Sequence, residues 1–471
     1  MRLHPLRPAI DRRSFLASAA SIALAPLLPG SAYAGAPAKE FRLVAVPVRL
    51  PIAGAPYPET DVWCYSGQSP GPEIRVRQGD RVRIVVENRL PEDTTVHWHG
   101  LRVPNAMDGA PDVTQPSMQP GKSFSYEFPV PDAGTYWYHP HAHSAEQVGR
   151  GLAGAFIVEE PNPLPVDRDV VWVLGDWRLR RDGAISEDFN NPMEMSMSGR
   201  IGNTVTINGR VPSRFVVRSG ERIRLRLINA ASARIFGLEF KDHRPLVIAL
   251  DGQPIEPHAP HGGRVVLGPA MRADLIIDMA GAPASSASVI DTFYQDLAYK
   301  LVELAYGDEP PLATRIAGMP STLPANTMPE PDLARAFRHE VTLTGGMMGG
   351  MGMGGGMGMM GHGGMWAING VAAHGHNMRP ILTLDRGKSY VFAIDNKTAW
   401  YHPIHLHGHS FRVITRDGQP TRYREWCDTV LLAPRERADV ALVADNPGDW
   451  MFHCHILEHQ EAGMMSVVRV T

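Results

Sequence analysis

Four His-x-His pairs stand out in the chain: His97 and His99 in HWHG, His139 and His141 in HPH, His405 and His407 in HLHG, and His453 and His455 in HCH. Successive side chains of a strand point to opposite faces, so each pair aims both imidazoles the same way. Eight imidazoles brought to one point would hold several metal ions. The same parity turns Cys454 away from His453 and His455. His402 lies three residues before His405, an odd offset, and also points away from the cluster. His459 and Met464 follow just beyond the strand and can turn back. His402, Cys454, His459 and Met464 supply two imidazoles, one thiolate and one weak thioether, the ligand set of a blue copper. Cys454 is one peptide step from a cluster histidine on either side, a short covalent route for an electron.

The elements that must position these residues are read from a repeat. Residues 74–88 (IRVRQGDRVRIVVEN), 215–229 (FVVRSGERIRLRLIN) and 382–396 (LTLDRGKSYVFAIDN) each carry Gly at the sixth position and Asn at the fifteenth. Each reads as two alternating strands around a glycine turn. Three copies imply three domains of one plan, placed at 36–160, 166–310 and 335–471, with the Pro-rich stretch 308–331 as a linker. With 41 Pro, 46 Gly and no long helical periodicity, the fold expected is all-β, three β-sandwiches. The first and third copies match further: His97, His99, His139 and His141 correspond to His405, His407, His453 and His455. The second copy has Leu238 and Phe240 at the matching place and is expected to hold no metal. In the first copy Pro140 replaces the cysteine and Thr94 stands where His402 would be, so that copy has half of the cluster and no blue copper.

The net charge of −3 disfavours nucleic acid as a partner, because phosphate binding needs a basic surface. Arg12 and Arg13 precede an apolar stretch from Phe15 to Leu28, and Ala32-Tyr33-Ala34 follows as a small-x-small cleavage site. Residues 1–34 read as a twin-arginine signal peptide, which places the mature protein in a bacterial periplasm. The apolar stretch is too short to span a bilayer, so no membrane insertion is expected after the signal is removed.

The motifs HWHG, HPH, HPIHLHGH and HCHILEHQEAGM together resemble the three-domain multicopper oxidases, a laccase-like family of cupredoxin Greek-key domains, over essentially all of the mature chain. The resemblance implies four copper ions. His402, Cys454, His459 and Met464 would hold the type 1 copper, and His97 and His405 the type 2 copper. The type 3 pair would be held by His99, His139 and His455 on one ion and by His141, His407 and His453 on the other. It implies one-electron oxidation of a donor at the type 1 site, with O2 reduced to two waters at the trinuclear cluster. Water formation consumes protons. Asp108 stands where relatives carry a carboxylate near the cluster. Relatives often have Glu directly after the histidine matching His459; here it is Gln460, followed by Glu461, which makes Glu461 a second candidate. One chain contains every cluster ligand, so a monomer suffices.

Residues 345–365 consist of twelve glycines, eight methionines and one histidine. The thioethers of Met347, Met348, Met351, Met353, Met357, Met359, Met360 and Met365, with His362, are soft ligands suited to Cu(I). Exported cuprous oxidases of this family look similar, with a Met-rich insert just before an Ile-Asn-Gly turn, here Ile368-Asn369-Gly370. The expected substrate is Cu(I), with side activity on phenols; a laccase-type enzyme of organic donors is the alternative. In that family an Asp and a Met shortly before the first type 1 histidine help bind the substrate copper, whereas Lys397-Thr398-Ala399-Trp400-Tyr401 contains neither. Trp400 and Tyr401 read as the border of an aromatic pocket or, at least as well, as core packing. Met193, Met195 and Met197 share a face if extended, and read equally as another Cu(I) contact or as a core stripe. His374 and His376 read as surface residues. A Cys64–Cys427 disulfide is open to the chain in an oxidising compartment. A copper buffer fits the Met-rich loop alone, but has no need of a histidine cluster wired to a blue copper.

Overall fold

Each repeated stretch folds as two strands around a glycine. Gly71–Arg77 and Arg81–Asn88 flank Gly79, Arg214–Val217 and Arg222–Asn229 flank Gly220, and Pro380–Leu384 and Ser389–Asn396 flank Gly387. The three glycines have φ of +88°, +83° and +77°, the left-handed region that glycine enters without penalty. The two strands of each stretch belong to different sheets, so the turn passes between sheets and does not close a hairpin. This computed structural model describes residues 37–312, 318, 322–347, 365–373 and 378–471; Ala38–Thr471 forms one compact unit.

The fifteenth-position asparagine does the same work three times. Asn88 Nδ2 donates to the carbonyls of Glu92 (2.8 Å) and Met118 (2.7 Å), while its Oδ1 accepts from Leu90 N (2.9 Å). Asn229 does so with Arg234 (2.8 Å), Leu267 (2.9 Å) and Ala231 N (3.0 Å). Asn396 does so with Trp400 (2.8 Å), Ala433 (2.7 Å) and Thr398 N (3.0 Å). All three are fully buried, so their bonds satisfy loop backbone that water cannot reach. Asn396→Ala strands those groups just before His402; we expect a loss of about 3 kcal/mol, read as a lower urea midpoint at unchanged m-value.

The chain is all-β, with three cupredoxin-like sandwiches of two sheets each. The first has four strands in each sheet, the second six and five, the third seven and five. A separate apolar core fills each sandwich; Trp98, Tyr126, Tyr136 and Phe156 pack in the first, and Trp366, Phe392, Trp450 and Cys454 in the third. In the first, His97–His99 pairs antiparallel with Gly134–His139, placing His97 opposite His139. In the third, His402–Leu406 pairs with Gly448–Cys454, placing His405 opposite His453. The matching motifs therefore occupy matching strand pairs.

The second sandwich departs from simple alternation. All eight residues of Arg222–Asn229 are buried, Arg224 and Arg226 included. Arg224 makes a double hydrogen bond to Glu160 at 2.9 and 2.7 Å and reaches Asp274 Oδ2 at 2.6 Å. Arg226 bonds Asp169 at 2.7 Å and Thr135 Oγ1 at 2.9 Å. Its outer face is thus sealed against the first sandwich by paired charges, which keeps buried arginines tolerable.

Two readings that the sequence leaves open are settled. Cys64 and Cys427 are both free. Cys64 pairs across from Val46 in the first sandwich, while Cys427 is packed in the core of the third, so each is enclosed by its own sandwich. Met193, Met195 and Met197 are not extended: Pro192–Met195 is a helical turn, with Pro at its start and the Asn191 side chain accepting from Met193 N. The turn exposes Met193 (65%) and packs Met195 against the third core.

Candidate metal centres

On the inner face of the third sandwich, His402, Cys454 and His459 converge. Cys454 Sγ lies 3.5 Å from His402 Nδ1 and 3.7 Å from His459 Nδ1, and the two Nδ1 atoms are 3.2 Å apart. Each imidazole is turned by a bond on its far side: His402 Nε2 meets Thr398 Oγ1 at 2.8 Å, and His459 Nε2 donates to Met197 O at 2.7 Å. A histidine with Nε2–H engaged presents a bare Nδ1 to the sulfur. The short helix Leu457–Glu461 returns His459 to the strand end, and Met464 closes the loop by accepting from Cys454 N at 3.0 Å. All four residues are buried. Burial holds His459 down to about 3 and His402 well below its ordinary value, so both are neutral; burial pushes the Cys454 thiol up.

The eight histidines of the four His-x-His pairs meet between the first and third sandwiches, each 4% exposed or less. His141, His407 and His453 form one group of mutually close donor atoms; His97, His99 and His139, and His97, His405 and His407, form two more. His455 Nε2 lies 3.4 Å from His139 Nε2. Their Nδ1 atoms are tied off by acceptors: His97 to Asp108 O (2.8 Å), His139 to Pro140 O (2.9 Å), His405 to Asp428 O (2.8 Å), His407 to Asp108 Oδ2 (2.8 Å) and His453 to Cys454 O (2.9 Å). Each of those rings therefore carries its proton on Nδ1 and points a lone pair inward from Nε2. His407 Nε2 and His453 Nε2 then face each other at 3.0 Å with no proton between them, an approach that a cation relieves. His97 Nε2, His99 Nδ1 and His405 Nε2 are buried without partners. Burial, helped by neighbouring imidazoles, holds His99, His139, His141, His407, His453 and His455 well below the ordinary 6.5. Neutral, dry, inward-facing nitrogens fit a late first-row metal such as copper.

Sequence reading missed the carboxylates behind these rings, apart from Asp108. Asp108 touches two of them: besides the bond to His407, its Oδ1 is 3.3 Å from His97 Nδ1. Asp428 Oδ1 lies 3.0 Å from His99 Nε2. Arg272 and Asp251, both from the second sandwich, back Asp428. Burial, with Asp428 alongside, pushes Asp251 up to about 7. Burial also acts against the charge of Asp428, but Arg272 outweighs it and draws Asp428 well below the carboxylate range. The sequence signal was faint: one acid in the apolar run WCDTVLL. Glu461 is elsewhere, accepting from Ala145 N (2.8 Å) and Ser144 Oγ (3.5 Å) three to four residues beyond His141, and burial pushes it up. Gln460 is buried with Oε1 unpartnered.

Multicopper oxidase family signatures match residues 51–163, 168–285 and 357–471. The chain belongs to the multicopper oxidase family. It is 32% identical to a multicopper oxidase of Mycobacterium tuberculosis, over 90% of this chain and 85% of that one. It is 25% identical to copper resistance protein A of Escherichia coli (86% and 88% covered) and 28% identical to laccase-2 of Podospora anserina (86% and 74% covered). Among solved structures, a multicopper oxidase from Pseudomonas thermotolerans superposes with a TM-score of 0.82 at 36% identity, covering 93% of this chain and all of that one. A metallo-oxidase from Campylobacter jejuni gives 0.76 at 27% identity, covering 92% and 91%. As a multicopper oxidase the protein is a copper-dependent oxidoreductase with O2 as acceptor, and both copper-resistance and laccase relatives stand close to it. No helix among the described residues is long and apolar enough to cross a membrane.

Proposed function

We propose that this multicopper oxidase oxidises Cu(I) in bacterial copper homeostasis, with phenols as side substrates. It would act in the periplasm after twin-arginine export and suffice as a monomer. In this reading His402, Cys454, His459 and Met464 hold the type 1 copper, and His97 and His405 the type 2 copper. His99, His139 and His455 hold one type 3 copper, and His141, His407 and His453 the other. When bound, these four coppers supply one-electron oxidation at one end and four-electron reduction of O2 to water at the other.

The chain's own residues give this reading its direction. The observation that carries it is where the Met-rich segment is tied. Met348, Met351, Met353, Met357, Met359, Met360 and His362 lie outside the described residues, as do His374 and His376, but both stems are defined. Gly345 pairs with Trp366, and Gly346 N donates to Met365 O at 3.0 Å. Met347 N donates to Ser196 O at 2.8 Å and its carbonyl accepts from Trp400 Nε1 at 2.9 Å. Trp366 packs 4.3 Å from the His459 ring and bonds Met195 O at 2.5 Å. The exposed thioethers of Met193, Met347 and Met365 thus belong to segments tied around His459, whose Nε2 bonds the Met197 carbonyl. A Cu(I) ion held by these soft thioethers would have a hydrogen-bonded route for its electron through the Met197 carbonyl to the His459 ring. The stretch before His402 lacks the acid and thioether of relatives, so the stems and the 191–197 turn would take over substrate contact. Tyr401 rests instead against Phe293, 5.4 Å between rings, an aromatic rim suited to phenols. Asp108 and Glu461 are the acids proposed to pass protons to the cluster.

Oxygen uptake with Cu(I) and with dimethoxyphenol, before and after deletion of 348–364, tests the reading. The deletion spares both stems. We expect Cu(I) oxidation to fall by about tenfold while phenol oxidation holds or rises. Equal rates for both donors before and after deletion would favour the laccase-type alternative.

A further inference from the structure

We propose that Asp428 is a positioning residue that fixes which nitrogen of His99 faces the cluster, and that the second sandwich, which supplies none of the proposed ligands, sets this through Arg272 and Asp251. The inference rests on the copper reading above and adds residues to it. His99 differs from the five cluster histidines tied through Nδ1. Its Nε2 is the bonded nitrogen, 3.0 Å from Asp428 Oδ1 and 3.2 Å from Thr429 Oγ1, and its Nδ1 is buried without a partner. A carboxylate can only accept, so the proton sits on Nε2 and the lone pair is on Nδ1. Thr429 Oγ1, which donates to Asp428 Oδ1 at 2.8 Å, spends its proton there. Asp428 serves His405 as well, whose Nδ1 bonds its carbonyl at 2.8 Å and lies 3.5 Å from its Oδ1. One residue thus orients a proposed type 3 ligand from the first sandwich and a proposed type 2 ligand from the third.

Asp428 is itself gripped from the second sandwich. Arg272 meets it with both arms, Nη1 to Oδ1 at 2.8 Å and Nη2 to Oδ2 at 2.5 Å, a fork that fixes the carboxylate plane. Arg272 Nε donates to Thr135 O at 3.1 Å in the first sandwich. Asp251 accepts from Arg272 N at 2.9 Å and from Thr429 N at 3.1 Å, joining second and third. The glycine of HWHG finds its reason here: Gly100 has φ +84°, and a Cβ on it would overlap Arg272 Nη2 and Asp428 Oδ2. Partners that hold metal-binding histidines in this way tune affinity without touching the ion.

The test uses the full copper-loaded protein, titrated with a chelator. Asp428→Asn keeps the size but turns an amide N–H toward either Arg272 or His99, so it cannot satisfy both. We expect cluster copper to be lost at chelator concentrations about 10- to 100-fold lower than in the parent. The near-ultraviolet type 3 band and the type 2 EPR signal should disappear together, while the blue type 1 band persists. Thr429→Val, a gentler change that removes one partner of His99, should move the same way by a smaller factor and covers the case in which Asp428→Asn does not fold. Unchanged chelator resistance of the cluster in either folded variant overturns the proposal, as does loss of the blue band in parallel, which would mark general loosening. A parent protein without cluster signals overturns the copper assignment and this inference with it; intact parent signals with unaltered variants overturn this inference alone.

Discussion

Cys454→Ser abolishes the blue absorption and lowers turnover by on the order of 10³-fold or more with every reductant. The hydroxyl is a hard donor with a very high pKa, and cannot replace a thiolate as the soft ligand of this copper. The fold should survive. Cys454 is fully buried, and its sulfur accepts from the backbone at Ile456 N at 3.4 Å, which a serine oxygen can replace. His453 and His455 keep their side of the strand, so the cluster should still load. Optical and EPR spectra on the same sample would show the type 2 and type 3 signals without the type 1 signal. If the variant stayed blue, the ligand assignment would be wrong. If it kept near-parental turnover, electrons would have to enter elsewhere, and the role of the one-residue link to His453 and His455 would fall.

Asp108→Ala slows oxygen reduction by on the order of 10²-fold and leaves reduction of the type 1 site almost untouched. Asp108 is fully buried and reaches His407 and His97 at once, so it can both orient rings and hold a proton beside the cluster. Asp108→Asn separates the two duties. The amide preserves an acceptor for His407 Nδ1 but titrates nothing. We therefore expect Asn to restore copper content relative to Ala while oxygen reduction stays slow. Stopped-flow mixing of reduced enzyme with O2 reads the step directly. Parental reoxidation rates in both variants would remove Asp108 from the reaction.

The histidine cluster was legible because strand parity and internal duplication act on the same residues. His97 and His405, or His139 and His453, occupy matching strand positions, so one repeat checks the other. Cys454 was legible for the same reason, since parity alone sends it to the opposite face from its neighbours. The repeated Gly and Asn were legible as marks of a repeat, although the three-way bonding of Asn88, Asn229 and Asn396 needed coordinates. Asp428, Arg272 and Asp251 were not legible. They come from separate parts of the chain, and a charged residue in a strand reads as solvent-facing until a partner from another sandwich covers it. The methionines of EMSMS were ambiguous because alternation implies a shared face only in a strand, and Pro192 with Asn191 starts a helical turn there. Cys64 and Cys427 were left open because an oxidising compartment permits a bridge without bringing the two thiols together.

The most direct test of the account is the electron balance of the copper-loaded enzyme. A one-electron donor is supplied in measured amount under limiting O2, with peroxide assayed in the same vessel. If electrons enter beside His459, pass Cys454 and leave through the eight-histidine cluster, four equivalents of donor disappear per O2 and no peroxide accumulates. Two equivalents per O2 with peroxide as product would mean that the cluster does not work as a unit, and would contradict the central claim.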